Sequence, residues 1–582
     1  MNEYLPLLIM GAVIGVITIA FIVVYKMFGK INPEDDFERN MADGEIIKRL
    51  LVYIKPYYKT FIVVFIIMLF SIVYELVSPL ITGKLIALIQ EDFELPQLFT
   101  IVAMYVGILI VSLICTYFQA MILQKIGQKI LSDIREDVFT HIEKLSHEQL
   151  NNIPVGKLVT RVSNDPNAIS YMFTNILVTL IKNIMVMFGV LGAMLLLNYT
   201  LTLMILCLMP FVCLFTFVFR VFSRKVHRAV SNATTALNTY LSENLSGIKI
   251  TQIFNQEDRK MSDFLEKSDN QAKAKHNRMY VFGIFRPMIY MLNVVAILCL
   301  FYLGSKASIT GATWFGQTID ASIIVSFYLY ISRFFNPIQT LAEQFDMLQR
   351  SFASAEKIFT IMDLVPDVVD DDETIELEDI KGEIEFKDVW FAYNPGEWIL
   401  KGVSFHVHPK QTVAFVGATG SGKTTILSLI CRNYDIQKGQ ILIDGIDIKK
   451  IKISSLRKHF GQMLQDVFLF SGDIRNNILL NMEGVYDEEI MEVCRYVNAD
   501  SFINKLDNGL DEVVRERGNN FSAGQRQLLS FARTIIHKPS VIILDEATAN
   551  IDTETELLIQ DSLEKIRNIG TMLIVAHRLS TI

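Results

Sequence analysis

Apolar and polar positions divide the chain near residue 345 into two halves with different patterns. Six apolar stretches of the length that spans a bilayer lie near 61–82, 99–123, 174–197, 200–221, 281–304 and 321–341. A further uncharged stretch, Leu5–Tyr25, comes before them. The first half therefore predicts a polytopic α-helical transmembrane domain (61–345) with six spans plus one extra N-terminal span.

The extra span differs from a cleaved signal peptide. Glu3 precedes it, while Lys26 and Lys30 follow it. Because positive charge favours the cytoplasm, we expect residues 1–30 to be a retained anchor with the N-terminus outside. Residues 31–60 are polar and contain an amphipathic piece, Glu45–Tyr53, that predicts an elbow along the cytoplasmic interface.

Two connections between spans are long, one after the second span and one after the fourth. Both have a helical pattern and are rich in Lys and Arg, which places them in the cytoplasm as extensions of the membrane helices. Asn164-Asp165-Pro166 resembles a helix start, and Ser246-Gly247 interrupts the pattern before Ile248–Asn255. We expect short transverse helices at these two places that dock on the second half, with ordinary turns as the alternative.

Charged residues inside the apolar stretches are rare. Such residues commonly face a bundle interior or an aqueous path, although one near a helix end can instead extend to the interface. Aromatic residues of the sixth span could line a hydrophobic cargo site or simply pack. The charged residues are Glu75, Lys182, Arg286 and Arg333, and the aromatic ones are Phe327, Tyr328, Tyr330, Phe334 and Phe335.

The second half begins after a predicted linker, 346–381, whose acidic run Asp367–Asp379 indicates a solvated segment. Short strands and helices then alternate, which predicts an α/β domain with a partly parallel sheet over 382–582. The predicted strands are Gly382–Tyr393, Ile399–Val407, Thr412–Val416 and Gln440–Asp444.

A glycine-rich loop lies between an apolar strand and an apolar helix. This setting suits a phosphate-binding loop, since glycines allow close backbone approach and the helix amides face negative charge. Lys423 would reach the β- and γ-phosphates, and Thr424 would ligate Mg²⁺. The predicted nucleotide-contacting residues here are Gly417, Ala418, Thr419, Gly420, Ser421, Gly422, Lys423, Thr424 and Thr425.

A second apolar strand, Val541–Leu544, ends in two carboxylates. Asp545 would hold Mg²⁺ through water, and Glu546 would polarise the water that attacks the γ-phosphate. His577 follows another apolar strand and would meet the γ-phosphate. Gln465, in a polar turn, would ligate the metal. The predicted catalytic residues are therefore Glu546, His577 and Lys423, and the predicted metal ligands are Thr424, Gln465 and Asp545.

Composition limits the alternatives. Of the 582 residues, 51% are hydrophobic. The net charge of −8 argues against a nucleic-acid-binding protein, because such proteins carry a basic surface. The six cysteines show no metal-ligand spacing and are interpreted as core residues. The apolar spans exclude a soluble kinase, and the first 40 residues lack the Cys and His of a peptide-processing protease.

From residue 40 to 582 the chain resembles the exporter branch of the ATP-binding cassette (ABC) transporters. The resemblance rests on the ordered series Tyr393, GATGSGKT (417–424), Gln465, FSAGQ (521–525), ILDE (543–546), ANID (549–552) and His577. It implies ATP and Mg²⁺ as ligands, with Tyr393 stacked on adenine.

The resemblance also implies two ATP-binding domains paired head to tail. Each ATP would then lie between one subunit's phosphate loop and the other subunit's signature motif. Asp552 would communicate across that interface, and Glu516-Arg517-Gly518 would contact the partner's cytoplasmic helices. The residues implied for the signature and the interface are Phe521, Ser522, Ala523, Gly524, Gln525 and Asp552.

The sequence departs from the family pattern in two ways. Phe521 and Ala523 replace residues of the usual LSGGQ signature, while Glu546 is retained. This resembles the catalytic-glutamate subunit of bacterial heterodimeric multidrug exporters, whose partner has a degenerate catalytic position; a homodimer is the alternative. The chain ends at Ile582, five residues after His577, so we expect the ATP-binding domain to be truncated at its C-terminus.

The resemblance implies ATP-driven export of hydrophobic or amphipathic compounds across the cell membrane. The ATPase domain would be cytoplasmic, and the protein would be one half of a dimer in the lipid bilayer. Two alternatives stay open. One is a homodimeric flippase for lipids or lipid-linked molecules, and the other is a membrane-tethered sensor whose ATPase moves no cargo.

Overall fold

The computed structural model describes residues 11–12, 14–16, 18–19, 41–90, 95–310, 318–371, 373–418, 420–463, 466–545 and 553–575. Contacts divide the chain into two compact units. The membrane unit comprises Met1–Thr140 and Leu158–Asp363, and the α/β unit comprises His141–Lys157 and Leu364–Ile582. Most of the predicted N-terminal span, Leu5–Tyr25, lies outside the described residues.

Long helices make up the membrane unit. In the described part of the chain, six helical stretches are long and apolar enough to cross a membrane, which confirms the six predicted spans. The helices in order are α1 (Asp43–Ile54), α2 (Tyr58–Gln90), α3 (Leu95–Lys144), α4 (His147–Asn152, in the α/β unit), α5 (Val155–Ser163), α6 (Asp165–Tyr171), α7 (Leu177–Leu197), α8 (Tyr199–Leu206), α9 (Met209–Ser246), α10 (Ile248–Ile253), α11 (Glu257–Thr310) and α12 (Ala321–Met362).

Several of these helices are much longer than a bilayer is thick. Helix α3 has 50 residues and α11 has 54, so each is about 75–80 Å long at 1.5 Å per residue, against a hydrocarbon core of about 30 Å. The predicted extension of the membrane helices beyond the bilayer is therefore present.

Large side chains fill the interior of the membrane unit. Phe215, Phe285, Phe327 and Tyr330 are almost completely buried in one apolar cluster. Among the aromatic residues of the sixth span, Phe334 and Phe335 are also buried, whereas Tyr328 is exposed. Packing is therefore the role of most of these side chains.

The α/β unit contains two main sheets. An antiparallel sheet has the order β2-β1-β4-β5, and a parallel sheet has the order β3-β10-β9-β6. The strands are β1 (Ile384–Phe391), β2 (Leu400–Val407), β3 (Thr412–Phe415), β4 (Lys438–Ile443), β5 (Ile446–Asp447), β6 (Phe460–Met463), β7 (Gly472–Asp473), β8 (Val513–Val514), β9 (Val541–Asp545) and β10 (Thr571–Val575).

Helices cover these sheets. The central strand β9 is buried on both faces, which explains its continuous apolar sequence. Two apolar clusters form the core, one on each side of the parallel sheet. The helices are α13 (Lys423–Ile430), α14 (Ile453–Lys458), α15 (Ile474–Leu479), α16 (Asp487–Tyr496), α17 (Asp500–Ile503), α18 (Ala523–Ile536) and α19 (Thr553–Ile566).

The structure corrects the predicted linker at 346–381. Helix α12 continues to Met362, and the following acidic segment belongs to the α/β unit, with its described Asp and Glu residues exposed as the solvated interpretation predicts. Asp370 lies 3.2 Å from the buried guanidinium of Arg432 and accepts a hydrogen bond from the amide of Ile453. The cations that pair with this segment come from distant parts of the chain, so local charge density alone could not reveal them.

The first transverse helix is also placed differently from the prediction. A helix does begin at Asp165, but α6 belongs to the membrane unit, where Asp165 is buried and paired with Arg161. The short helix that packs within the α/β unit is α4. Its start carries a capping box between Ser146 and Gln149, a local signal that the prediction missed. The second predicted transverse helix corresponds to α10.

Candidate functional site

A glycine-rich loop connects β3 to α13. Gly420 and Gly422 have φ angles of 83° and 90°, in the left-handed region that favours glycine. A Cβ at Gly422 would lie 2.9 Å from Leu400 Cδ2, whereas a Cβ at Gly420 would meet no atom of the described residues within 4 Å. The loop is therefore open on one side and closely packed on the other, which fits a cradle for phosphate.

Lys423 begins α13 and lies across this loop. The residue is buried, and its ammonium group donates hydrogen bonds of 2.9 Å to the carbonyl oxygens of both Gly417 and Ala418. These two bonds hold the positive charge at the mouth of the loop. An anion bound by the loop amides would therefore meet a cation without a large movement of the side chain.

The parallel sheet brings separate motifs to one edge. Phe415 pairs with Val575, and Val575 pairs with Asp545, so β3, β10 and β9 end at the same edge. The glycine loop follows β3, and Asp545 is the last residue of β9.

Five predicted site residues lie outside the described residues, namely Thr419, Gln465, Glu546, Asp552 and His577.

Two described oxygen donors suit a magnesium ion. Thr424 is exposed in the first turn of α13, and Asp545 is half-buried at the end of β9. Hydroxyl and carboxylate oxygens are the ligands that Mg²⁺ prefers, often together with phosphate oxygens. The donor types at this edge therefore fit the predicted metal.

Tyr393 lies beside a cavity of about 510 Å³ that can hold a planar base. Its hydroxyl is 3.2 Å from the Thr425 hydroxyl, and its ring packs edge-on against Tyr434 at 5.1 Å between centroids. Trp398 and Tyr434 also line the cavity. Sequence reasoning missed Tyr434, because no motif marks a residue that reaches the cavity from the segment after α13.

Helix α4 contributes to the same cavity. Ser146 and Glu148 line it, and Asn151 Nδ2 donates a hydrogen bond of 3.4 Å to the Tyr434 hydroxyl. Gln149 Nε2 donates to the carbonyl of Val365 at 2.7 Å. Burial, and secondarily the charge of Arg457, lowers the pKa of His147. A segment between two membrane helices is thus packed beside the tyrosine pair.

The predicted signature segment forms the start of α18. The Ser522 hydroxyl accepts a hydrogen bond from the Gln525 amide at 3.2 Å, and the Gln525 side chain accepts one from the Ser522 amide at 2.9 Å. Phe521 is buried near Phe502, and Gly524 is buried as well. Ala523 is the first helical residue, so its methyl group causes no backbone strain here.

Comparisons with known proteins match both halves of the chain. A family model described as "ABC transporter transmembrane region" matches residues 61–338, and one described as "ABC transporter" matches residues 400–549. The chain belongs to the ABC transporter family. It contains the transmembrane region and the ATP-binding domain of an ABC exporter. The ATP-binding domain is an ATPase coupled to transport.

Individual relatives of this ABC exporter cover most of its length. The "Probable multidrug resistance ABC transporter ATP-binding/permease protein YheH" of Bacillus subtilis is 34% identical over 84% of this chain and 72% of its own. The "ATP-dependent lipid A-core flippase" of Syntrophus aciditrophicus is 33% identical over 80% and 77%. The chain is thus similar to exporters of the multidrug and lipid type.

A solved structure has the same fold. It is that of a bacterial Atm1-family ABC exporter with ATP bound, with a TM-score of 0.73 and 23% identity over 90% of this chain and 92% of that one. The architecture of the two units is therefore that of this exporter type.

The membrane unit of the exporter contains an open cavity of about 440 Å³ between α7, α9 and α12. Its lining is mostly apolar, from residues such as Met187, Phe217 and Leu341. Two polar side chains take part. Arg220 lies with its guanidinium carbon 4.3 Å above the ring of Phe345, and the buried Thr216 hydroxyl has no hydrogen-bond partner in the described residues.

A polar cluster joins the first and last spans. Arg333 of α12 lies 3.5 Å from the Glu75 carboxylate of α2, and it donates hydrogen bonds to the Glu75 carbonyl and to the Ser78 hydroxyl. Both charges are half-buried and lie between two helices, and their place on an aqueous path stays a prediction. Arg286, in contrast, pairs with Glu343 through a largely exposed side chain, but it lies in the middle of α11 and not near a helix end, so the alternative of a helix-end residue is wrong for it.

Proposed function

We propose that this ABC exporter uses ATP to move amphipathic or hydrophobic compounds across the cytoplasmic membrane by alternating access. The observation that carries the proposal is the cavity between α7, α9 and α12. It has the size and apolar lining of small-molecule sites, which bind ligands through a few placed polar groups. Arg220 and Thr216 are such groups, and an amphipathic cargo would place its polar end against them.

The nucleotide site would work through the residues of the parallel-sheet edge. Tyr393 would stack on adenine beside Tyr434, while the loop amides and Lys423 would bind the phosphates. Glu546 would take a proton from the attacking water, and His577 would orient the γ-phosphate. The buried position of Lys423 and its bonds to the loop carbonyls support this assignment.

The proposed metal ligands are Thr424, Asp545 and Gln465. When bound, Mg²⁺ would neutralise phosphate charge during hydrolysis. The two described donors have the right chemistry at the right edge of the sheet.

The proposed assembly is a dimer in which each ATP contacts both subunits. The segment Phe521–Gln525 would act on ATP held by the partner, and Asp552 would lie at the interface. Helix α10 supports a docking role, because Ile250, Ile253 and the following Phe254 are 63%, 74% and 68% exposed. The altered signature together with the retained Glu546 favours a heterodimer whose second half-transporter has a degenerate catalytic position.

The chain would lie in the cell membrane with its ATPase domain in the cytoplasm and its N-terminus outside.

ATP hydrolysis in lipid nanodiscs tests the assembly. The purified chain is assayed alone and with a co-expressed second half-transporter, and Glu546→Gln serves as the control. The proposed heterodimer predicts hydrolysis above the Glu546→Gln level only when the partner is present. Hydrolysis by the chain alone that disappears in Glu546→Gln would contradict the heterodimer and establish a homodimer.

A flippase for lipids or lipid-linked molecules is the second candidate, and the similarity to a lipid A-core flippase favours it. Uptake of a labelled amphipathic dye into inside-out vesicles separates the two. Dye accumulation that needs ATP and Glu546 supports the multidrug function. If no dye moves while fluorescent phospholipid changes leaflet with ATP, the flippase is the correct assignment.

A further inference from the structure

Two histidines of the α/β unit lie side by side on the surface of β2 and just beyond its end. Val407 between them is buried, so His406 and His408 both point outward. In the antiparallel pairing, Glu385 of β1 is opposite His406, and Ile384 is opposite Val407. Glu383 is therefore opposite His408 and diagonal to His406, on the same outer face.

The three side chains converge. One ligand atom from each of Glu383, His406 and His408 lies within 4.8 Å of the other two. His406 Nε2 is 2.7 Å from Glu383 Oε1, and the two imidazole rings are 4.4 Å apart at an angle of 71°. The neighbouring carboxylate of Glu385 is 2.9 Å from Lys387, which leaves Glu383 as the carboxylate that faces the histidines.

We propose that Glu383, His406 and His408 form a binding site for a transition-metal dication, with Zn²⁺ as the best fit. Zn²⁺ commonly takes three protein ligands from His and carboxylate side chains, with water in the fourth position. At bond lengths of about 2.0–2.1 Å, tetrahedral ligand atoms lie about 3.3 Å apart. The widest separation here must shrink by at most about 1.5 Å, which the exposed side chains of His406 and His408 allow.

The chemistry of the ligands separates this site from the predicted magnesium site. Two imidazoles favour Zn²⁺, Co²⁺, Ni²⁺ and Cu²⁺, whereas Mg²⁺ prefers oxygen ligands. The site lies at the start of β1 and the end of β2, whereas the glycine loop and Asp545 belong to the parallel sheet and Tyr393 follows the opposite end of β1. Metal binding here is consequently independent of the proposed transport function.

A bound ion would fasten β1 to β2 next to a junction between the sheets. Gly382, which precedes Glu383, accepts a hydrogen bond of 2.8 Å from the Thr571 hydroxyl at the start of β10. A ligand that binds only the folded state stabilises it. We therefore expect Zn²⁺ to raise the thermal unfolding midpoint of the α/β unit.

The test uses the purified full chain in detergent, freed of metal by a chelator and then dialysed. Zn²⁺ binding is measured by calorimetry, and Co²⁺ binding by the visible absorption of a tetrahedral complex. The variants are His406→Gln, His408→Gln and Glu383→Gln. The controls are Glu385→Gln, which removes the neighbouring carboxylate, and His276→Gln, which removes an exposed histidine of α11.

The proposal predicts one ion per chain, a tetrahedral Co²⁺ spectrum, and a loss of affinity of at least about 10-fold in each ligand variant but in neither control. The unfolding midpoint without metal checks that each variant is folded, and the rise with Zn²⁺ should disappear with the affinity. Equal Zn²⁺ binding by the parent and by a His406→Gln/His408→Gln double variant, or no binding at 100-fold molar excess, would overturn the proposal.

Discussion

Replacing Arg333 should destabilise the membrane unit through a proline in a different helix. Pro79 lies inside α2 and has no N–H, so the Glu75 carbonyl four residues earlier lacks its helical donor. Arg333 of α12 donates to this carbonyl and, at 3.3 Å, to the carbonyl of Tyr74. The arginine therefore replaces the hydrogen bond that the proline removes.

The structure sets the size of the effect. Arg333→Leu leaves a carbonyl without a donor, at a cost of about 1–3 kcal/mol. It also removes interhelical hydrogen bonds worth about 0.6 kcal/mol each. The ion pair with Glu75 is partly exposed and adds little, because such pairs are worth about 0–1 kcal/mol. We expect a total loss of about 2–3 kcal/mol.

Unfolding of the detergent-solubilised chain by SDS, followed by circular dichroism, measures this loss. Arg286→Leu is the matched control, since its side chain is 63% exposed and its pair should contribute at most about 1 kcal/mol. In a Pro79→Ala background the helix regains its own donor, so the cost of Arg333→Leu should fall by about 1 kcal/mol or more. An unchanged cost in that background, or equal losses for Arg333→Leu and Arg286→Leu, would refute the reasoning.

Two further predictions concern the α/β unit. Gly422→Ala should weaken ATP binding at least about 10-fold, because the φ of 90° at this position and the contact with Leu400 cost about 1–3 kcal/mol. Gly445 has a similar φ, and a Cβ there would meet no atom of the described residues, so Gly445→Ala should leave ATP binding unchanged. Equal losses of ATP affinity in the two variants would contradict the argument. Burial lowers the pKa of His147, so the folded state disfavours protonation of this residue. The stabilisation that a neutral His147 provides is therefore present above about pH 6.5, and it is lost as the pH falls below that value. Unfolding midpoints from pH 8 to 5 should therefore fall more for the parent chain than for His147→Gln, and parallel curves would disprove the pKa argument.

Local patterns were enough to predict much of this protein. Six spans follow from six apolar stretches, because a bilayer requires a fixed length of apolar helix. The glycine loop and the carboxylates after β9 follow from short motifs whose residues are neighbours in the chain. The same kind of pattern predicted a helix start at Asp165, and a helix does begin there.

Partners that are distant in the chain could not be predicted in this way. The packing of α4 beside Tyr434, the pairing of Asp370 with Arg432, and the pairing of Arg333 with the carbonyls near Pro79 all join residues more than 60 positions apart. The partner of Asp370 in the acidic run and the partner of His406 in the histidine pair are known only once the opposing side chains are placed.

The sequence by itself determined the membrane spans, the strand and helix types and the nucleotide-handling motifs, since each depends on the periodicity or the chemistry of adjacent residues. Only the tertiary structure decided which strand ends meet, which short helix packs on the α/β unit, and which charges are paired. Those features depend on strand order and helix packing, which bring together side chains whose separation along the chain carries no local signal.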